Sequence, residues 1–564
     1  MPHDVTRRAF LRLVGFSSVA LALSACQPAP QPTSKPGGAP APSGGGGAAS
    51  GTPEPLSLPI VSQPLTLSYW SGLSTNVAAS LKSYGEIACY IELEKRTGIH
   101  LEFQHPPLQQ EQDQFNLLIA AGKYPDIIQW NWRESYAGGP SKAIKDGVIV
   151  RLNDLIDRYA PNLKKVLTDH PEWRKQVITD EGDLYVFPFL RSDPILLTFT
   201  GPVIRADWLD KVGLKVPTTL DEWHTMLQAF KDQNVNGQGT TIPFSPWGSS
   251  IPGGWNAWYA AQAWLRHAFI GAWGITMGFY QVNGTVMYGA MQPEFQDFVR
   301  TMRTWYAEGL IDPDFPSTDN AGFDAKVTSG RLGSLVTLGG NGIGKYLGLV
   351  KDPNFKLVGA PYPVLKAGDK PLLGQRDDFY AGTGSAAITT ANKHVPESVK
   401  ELDYAYSDAG HMLFNFGIEG VSYNLESGYP RYTAELMRSP LGLPPAQAMS
   451  RYILGNTNGP FVQDARYIEQ YYELPTQKEA LKTWLEPSDE RQMPPVTPTQ
   501  EESRRFASIM NDVNSKYQEV LTKVVTAAEP MDTLTGLPAQ LRQIGIDEAT
   551  KIQQSALDRY NKRA

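Results

Sequence analysis

Between Leu65 and Ile128 extended runs alternate with helical ones, and that alternation restricts the fold more than any other stretch of the chain. Leu65-Thr66-Leu67-Ser68-Tyr69 has the period-two pattern of a strand. Tyr84 to Thr97 reads as a helix stopped by Gly98, and Ile99 to Gln104 as a second strand. A helix from Phe115 stops at Gly122, and Pro125-Asp126-Ile127-Ile128 reads as a third strand. A βαβαβ order with helical crossovers makes neighbouring strands parallel, which predicts an α/β class with a doubly wound sheet. In such sheets ligands sit beyond the carboxyl ends of the strands. Trp70 stands at the first of those ends, and Gln129-Trp130-Asn131-Trp132 at the third. Trp70, Trp130 and Trp132 are therefore candidate ligand contacts, with burial in a core as the competing role for each.

The N-terminus reads as an address. Thr6-Arg7-Arg8-Ala9-Phe10-Leu11 matches a twin-arginine export signal, followed by an apolar run from Leu13 to Leu23 that would serve the general secretory route as well. That run is too short for a mature membrane span. It ends in Leu23-Ser24-Ala25-Cys26, a lipobox, so residues 1–25 are expected to be removed and Cys26 to carry lipid. Residues 27–63 are Pro, Gly, Ser and Ala with little to bury, the composition of a disordered tether. The expected location is extracytoplasmic, lipid-anchored at the outer face of the cytoplasmic membrane. Cys89 is the only other cysteine; it reads as a small buried apolar residue, and no disulfide is expected.

Composition narrows the partners. The net charge is −7 and no basic run follows the N-terminus, which argues against nucleic acid. There are 13 Trp, 25 Tyr and 21 Phe. Large cores explain most of them, and a cleft that stacks on apolar sugar faces would use the remainder. No H-E-x-x-H, C-x-x-C, G-x-S-x-G or Walker A motif is present, and the eight His show no metal-ligand spacing. Gly382-x-Gly384 precedes a strand rather than a helix, so it makes a poor nucleotide loop.

Residues 201–246 hold the most ordered set of signals. Asp207, Trp208, Leu209 and Val212 give a first short helix its apolar side, and Gly213 stops it. Thr219 and Glu222 form a T-x-x-E capping box for a second helix carrying Leu220, Trp223, Leu227 and Phe230 at helical spacing. The polar loop Asp232-Gln233-Asn234-Val235-Asn236-Gly237 follows, spaced like half a calcium loop. Further on, Val282-Asn283-Gly284-Thr285-Val286 reads as a hairpin with a type I′ turn. Asn415-Phe416-Gly417-Ile418-Glu419-Gly420-Val421-Ser422-Tyr423 is a distinctive run near the end.

In this order, these strings resemble the long lipoprotein branch of family 1 extracellular solute-binding proteins, which includes alginate-oligosaccharide-binding proteins. The resemblance covers nearly all the chain after the tether. The Ala143–Pro161, Asp183–Pro188 and Gly309–Phe315 segments and the Asn415–Tyr423 run carry it. It implies a periplasmic-binding-protein fold: two α/β lobes with a ligand cleft between them and crossing hinge strands. The implied borders are 64–190 plus 375–435 for the first lobe and 191–374 plus 436–564 for the second. It also implies a monomeric binding subunit of an ABC importer, not an enzyme, that captures an oligosaccharide by hinge closure and passes it to membrane permease subunits.

On that reading Trp70, Trp130, Trp132, Trp247 and Trp255 stack on sugar rings, while Arg376, Asp377 and Tyr380 near the crossover bind hydroxyls. Helical spacing of Trp255, Trp258 and Tyr259 fits a core face equally well. The family's calcium pattern continues D-x-N-x-N-G-x-x-D-E. Here Asp232, Asn234 and Asn236 match and Gln238 would offer a carbonyl, but Thr240 and Thr241 replace the acidic pair. One carboxylate leaves little charge to offset dehydration of the ion, so no cofactor is expected to be required, calcium included. Two alternatives stay open. A lipid-anchored glycoside hydrolase needs only two carboxylates about 5–10 Å apart. A sugar sensor or adhesin would lack a permease.

Overall fold

The structure is a computed structural model that describes residues 54–246 and 268–563. Residues 52–564 form one unit and 1–51 another; Cys26, the export signal and most of the tether lie outside the described residues. The strands in chain order are β1 Leu65–Ser71, β2 Ile99–Gln104, β3 Ile127–Gln129, β4 Phe187–Arg191, β5 Thr200–Arg205 and β6 Ile242–Ser245. They continue with β7 Phe279–Val282, β8 Thr285–Tyr288, β9 Leu332–Leu338, β10 Leu357–Gly359 and β11 Tyr380–Ile388. The last are β12 Tyr423–Glu426, β13 Tyr429–Tyr432 and β14 Val462–Gln463.

The expected βαβαβ start is present. Helices Ala88–Thr97 and Glu111–Ala121 end at Gly98 and Gly122, both with positive φ, and β1 pairs in parallel with β2 and β3. The first sheet runs β14-β4-β11-β3-β1-β2, with β11 antiparallel to both of its neighbours. Its core gathers Leu67, Ile99, Ile127, Trp132, Leu163, Phe187 and Ile388. The second sheet runs β10-β5-β9-β6, around a core that includes Trp208, Trp223, Phe230, Phe244, Trp305 and Trp484. Two α/β lobes result, joined where β4 leads into β5 and where β10 leads back to β11.

The chain changes core again after these crossings. Leu413 and Phe414 pack in the first core, whereas Phe416, Tyr423 and Tyr432 pack in the second. Leu454 and Phe461 return to the first core, and β14 pairs in parallel with Leu190 and Arg191 of β4. The border expected at 435–436 therefore needs correction: 436–564 is not wholly second-lobe. A two-residue strand has no sequence period of its own, and its place is set by β4, far away in the chain.

Local signals became the elements they describe. Thr219 Oγ1 accepts from Glu222 N at 3.2 Å and Glu222 Oε2 accepts from Thr219 N at 3.1 Å, opening the helix Leu220–Asp232. Asn283 and Gly284 both take positive φ between β7 and β8, as a type I′ turn requires. Gly382 and Gly384 lie inside β11. A Cβ on Gly382 would stand 2.5 Å from Asn131 Oδ1, and one on Gly384 2.8 Å from Phe189 Cβ, so close packing explains both. Cys89 is fully buried and burial pushes its thiol far above the usual range. Among the described residues, no helix is long and apolar enough to cross a membrane.

Candidate functional site

The carboxyl ends of β1 and β3 meet in an aromatic corner. Trp70 and Trp130 stand edge to face with ring centroids 5.6 Å apart, and Phe115 lies 6.1 and 6.2 Å from them. Such geometry suits the ring quadrupoles and fixes the indole planes. Trp70 is only 6% exposed and acts as the wall. Trp130 is half-buried; its Nε1 is on the buried side of the ring and has no hydrogen-bond partner. Gly72 leaves the space beside it: a Cβ there would lie 3.1 Å from Glu111 Cγ and 3.5 Å from Trp130 Cζ3.

Trp132 is a correction. It is 0% exposed, and its indole N–H donates to the Ile128 carbonyl at 3.2 Å, so it belongs to the core. Strand alternation would put Trp130 and Trp132 on one face. The strand ends at Gln129, however, and Asn131 caps a short helix Trp132–Ser135, which turns the second indole inward.

Two polar residues at this corner escaped the sequence reading. Gln129 Nε2 donates to Asn458 Oδ1 at 3.3 Å while its Oε1 accepts from Tyr69 Oη at 2.9 Å, tying the 455–461 loop to the strand end. His105 Nε2 accepts from Tyr84 N at 3.1 Å, so Nδ1 carries the proton and donates to the Ser71 carbonyl at 2.8 Å. Burial lowers its pKa, which keeps the ring neutral in that brace. Only the sequence position of Asn458, far from β3, hid its role.

The crossover residues are mostly committed to protein. Asp377 accepts from Arg191 Nη1 at 3.1 Å and from Gln375 Nε2 at 3.2 Å. Gln375 in turn accepts from the N–H groups of Phe199 and Thr200, so Asp377 and Gln375 strap the two crossings together. Tyr380 needs correction as a hydroxyl partner: it is 2% exposed, its Oη lies 3.0 Å from Tyr185 Oη, and Arg133 covers its ring. Arg376 keeps 22% of its side chain exposed, with Asp489 3.7 Å away as its ion-pair partner. Trp247 and Trp255 lie outside the described residues.

The polar loop is closed on itself. Asn234 Oδ1 accepts from Gly239 N at 2.9 Å, and Asn236 Oδ1 accepts from Gln238 N at 3.0 Å and Thr241 Oγ1 at 2.9 Å. Asp232 Oδ1 accepts from Gln228 Nε2 at 2.8 Å. A single carboxylate plus amide oxygens already serving a turn is a poor donor set for calcium. Among the described residues no group of three His, Cys, Asp or Glu could hold a metal.

Among the described residues three carboxyls have the raised pKa that a glycosidase acid needs; burial lifts Asp378 at the crossover to about 6, against the opposing charge of Arg133, and the other two lie deep in the first lobe. Burial pushes Glu401 up to about 8, but it is 2% exposed within the first lobe. Burial also lifts Asp403 to about 6, and its oxygens accept from Asn162 and Leu163. Glu401 and Asp403 do not reach solvent, whereas Asp378 is only half-buried.

Two α/β lobes, crossing strands and an aromatic corner at the strand ends define a cleft-type binding protein. The model of the bacterial extracellular solute-binding protein family matches residues 75–412, and the chain belongs to that family. A fructooligosaccharide ABC transporter substrate-binding protein, FusA of Streptococcus pneumoniae serotype 4 (strain ATCC BAA-334 / TIGR4), is 25% identical over 503 residues, 83% of this chain and 86% of its own. Lipoprotein LipO of Bacillus subtilis (strain 168) is 25% identical over 348 residues, 60% of this chain and 64% of its own. The solved alginate-binding protein AlgQ2 without calcium ion shares the fold with TM-score 0.67 at 24% identity, covering 88% of this chain and 99% of that one.

Proposed function

We propose that this chain is the substrate-binding lipoprotein of an ABC importer. It captures an oligosaccharide between its lobes by hinge closure and delivers it to membrane permease subunits, without turnover. The observation that carries the ligand class is Trp130: a half-buried indole held rigid by Trp70 at a strand end, with part of its ring left exposed. A pyranose or furanose offers an apolar face for the exposed part of the ring. The similarity to a fructooligosaccharide-binding protein favours the same class. Cys26 carries the lipid anchor on this reading, the export signal is of twin-arginine type, and the body works as a monomer at the outer face of the cytoplasmic membrane. The self-bonded loop at Asp232–Thr241 is a structural turn, and no calcium is needed.

Isothermal titration against fructo-, alginate- and neutral gluco-oligosaccharides tests this, with peptides as the control class. Saturable binding of one sugar series with no released product supports the reading. Sugar cleavage favours the hydrolase alternative. Peptide binding with no sugar binding rejects the ligand class. Palmitate labelling that disappears in Cys26→Ala is the expected result for the anchor.

A further inference from the structure

One carboxylate beside the crossings carries two arginines from the far end of the chain. Asp180 follows Ile178 and precedes Leu184, both in the first core. Arg559 and Arg563 lie at the end of the helix Ile546–Asn561 and just past it; Ile546 and Ala549 of that helix lie in the second core. Arg559 Nε donates to Asp180 Oδ2 at 2.7 Å, and Arg563 Nε donates to Oδ1 at 2.8 Å, so both oxygens are taken. Arg559 also donates to Glu502 at 2.7 and 3.1 Å, at the start of the helix Gln500–Val525. Arg563 Nη1 donates to the Lys175 carbonyl, and Lys175 Nζ donates to the Asn561 carbonyl, both at 3.3 Å.

The cluster is shielded from solvent: side-chain exposure is 1% for Arg563, 14% for Asp180 and 28% for Arg559. Packing alongside is tight. A Cβ on Gly138 would lie 2.8 Å from Gln500 Cβ, and one on Gly139 would lie 3.0 Å from Thr497 Cγ2. Moving the lobes apart at this point would leave two desolvated guanidinium groups without their shared anion. Turning the lobes about this point displaces these three side chains least, because atoms near an axis move least.

We propose that Asp180, Arg559 and Arg563 form a fixed pivot between the lobes, confining their motion to rotation about the clasp. The chain crossings alone leave such motion soft, because a few loop residues absorb it. The pivot would act as an additional, non-covalent crossing supplied by the C-terminus.

The test is electron–electron distance measurement between spin labels at Leu117→Cys in the first lobe and Leu349→Cys in the second, which are 61% and 55% exposed. The full chain carries Cys26→Ser, and buried Cys89 does not label. Asp180→Asn should broaden the inter-lobe distance distribution about twofold while melting stays cooperative. An unchanged width in the folded variant overturns the proposal, and so does a lower melting temperature with unchanged width, which is the mark of a merely stabilising contact. Should Asp180→Asn fail to fold, Arg559→Gln removes one arm only. It should still broaden the distribution, and unchanged width again overturns the proposal. No sugar is needed, so failure here is separate from failure of the ligand assignment.

Discussion

The aromatic corner of the first lobe and the charged crossover at Arg376–Asp377 offered equal claims as ligand contacts in the sequence. Their surroundings differ. Trp130 stays partly exposed against other rings, whereas both Asp377 oxygens already accept from Arg191 and Gln375. A binding group is best left unpaired by the fold, since an already satisfied one must first break its bonds. The crossover residues thus hold two lobes together, and the corner is the proposed ligand contact.

The sharpest break in that contrast lies two residues apart. Trp132→Ala removes a fully buried ring and should cost about 3–5 kcal/mol of stability in denaturant melts. Ligand affinity of the surviving folded fraction should be little changed. An affinity loss without a stability loss would return Trp132 to the cleft.

Glu401 tests the same principle with a charge. Its folded pKa is raised to about 8 by burial, so the folded state holds the proton more tightly than the unfolded state. Stability is complete at acidic pH and falls as pH rises toward 8, by about 1.4 kcal/mol per unit while only the folded form is protonated. Glu401→Gln should therefore gain melting temperature relative to the parent as pH goes from 5 to 8. A constant gap over that range would contradict it.

A smaller effect is expected at the crossover. Asp377→Asn weakens the Arg191 pair in a partly exposed site and should cost about 1–2 kcal/mol. Affinity should follow only as far as the lobes shift. Smallest of all is the response to a chelator. Melting should move by no more than about a degree or two, since one carboxylate cannot hold calcium strongly. A large drop would show that other oxygens complete the loop.

Patterns that depend on near neighbours were legible. The capping box of Thr219 and Glu222, the Asn283-Gly284 turn and the β1–β2–β3 alternation each need only a few adjacent residues, and each formed. The resemblance to solute-binding proteins supplied the two-lobed plan. What was hidden depended on distant partners. The pairing of β14 with β4 and the burial of Tyr380 against Tyr185 are set across the chain. The Asn415–Tyr423 run, distinctive in sequence, proves architectural in its Asn415 side chain. Asn415 Nδ2 donates to the His411 and Val462 carbonyls, and its Oδ1 accepts from Asp464 N, locking a helix end onto β14.

The central claim is that Trp130 is a ligand platform and not core. The direct measurement is calorimetric titration of the parent and Trp130→Ala with the oligosaccharide series that binds, alongside their melting curves. The account predicts an affinity loss of about tenfold or more, some 1.4 kcal/mol per decade, with a melting temperature close to the parent's. Unchanged affinity together with a clear loss of melting temperature would contradict it.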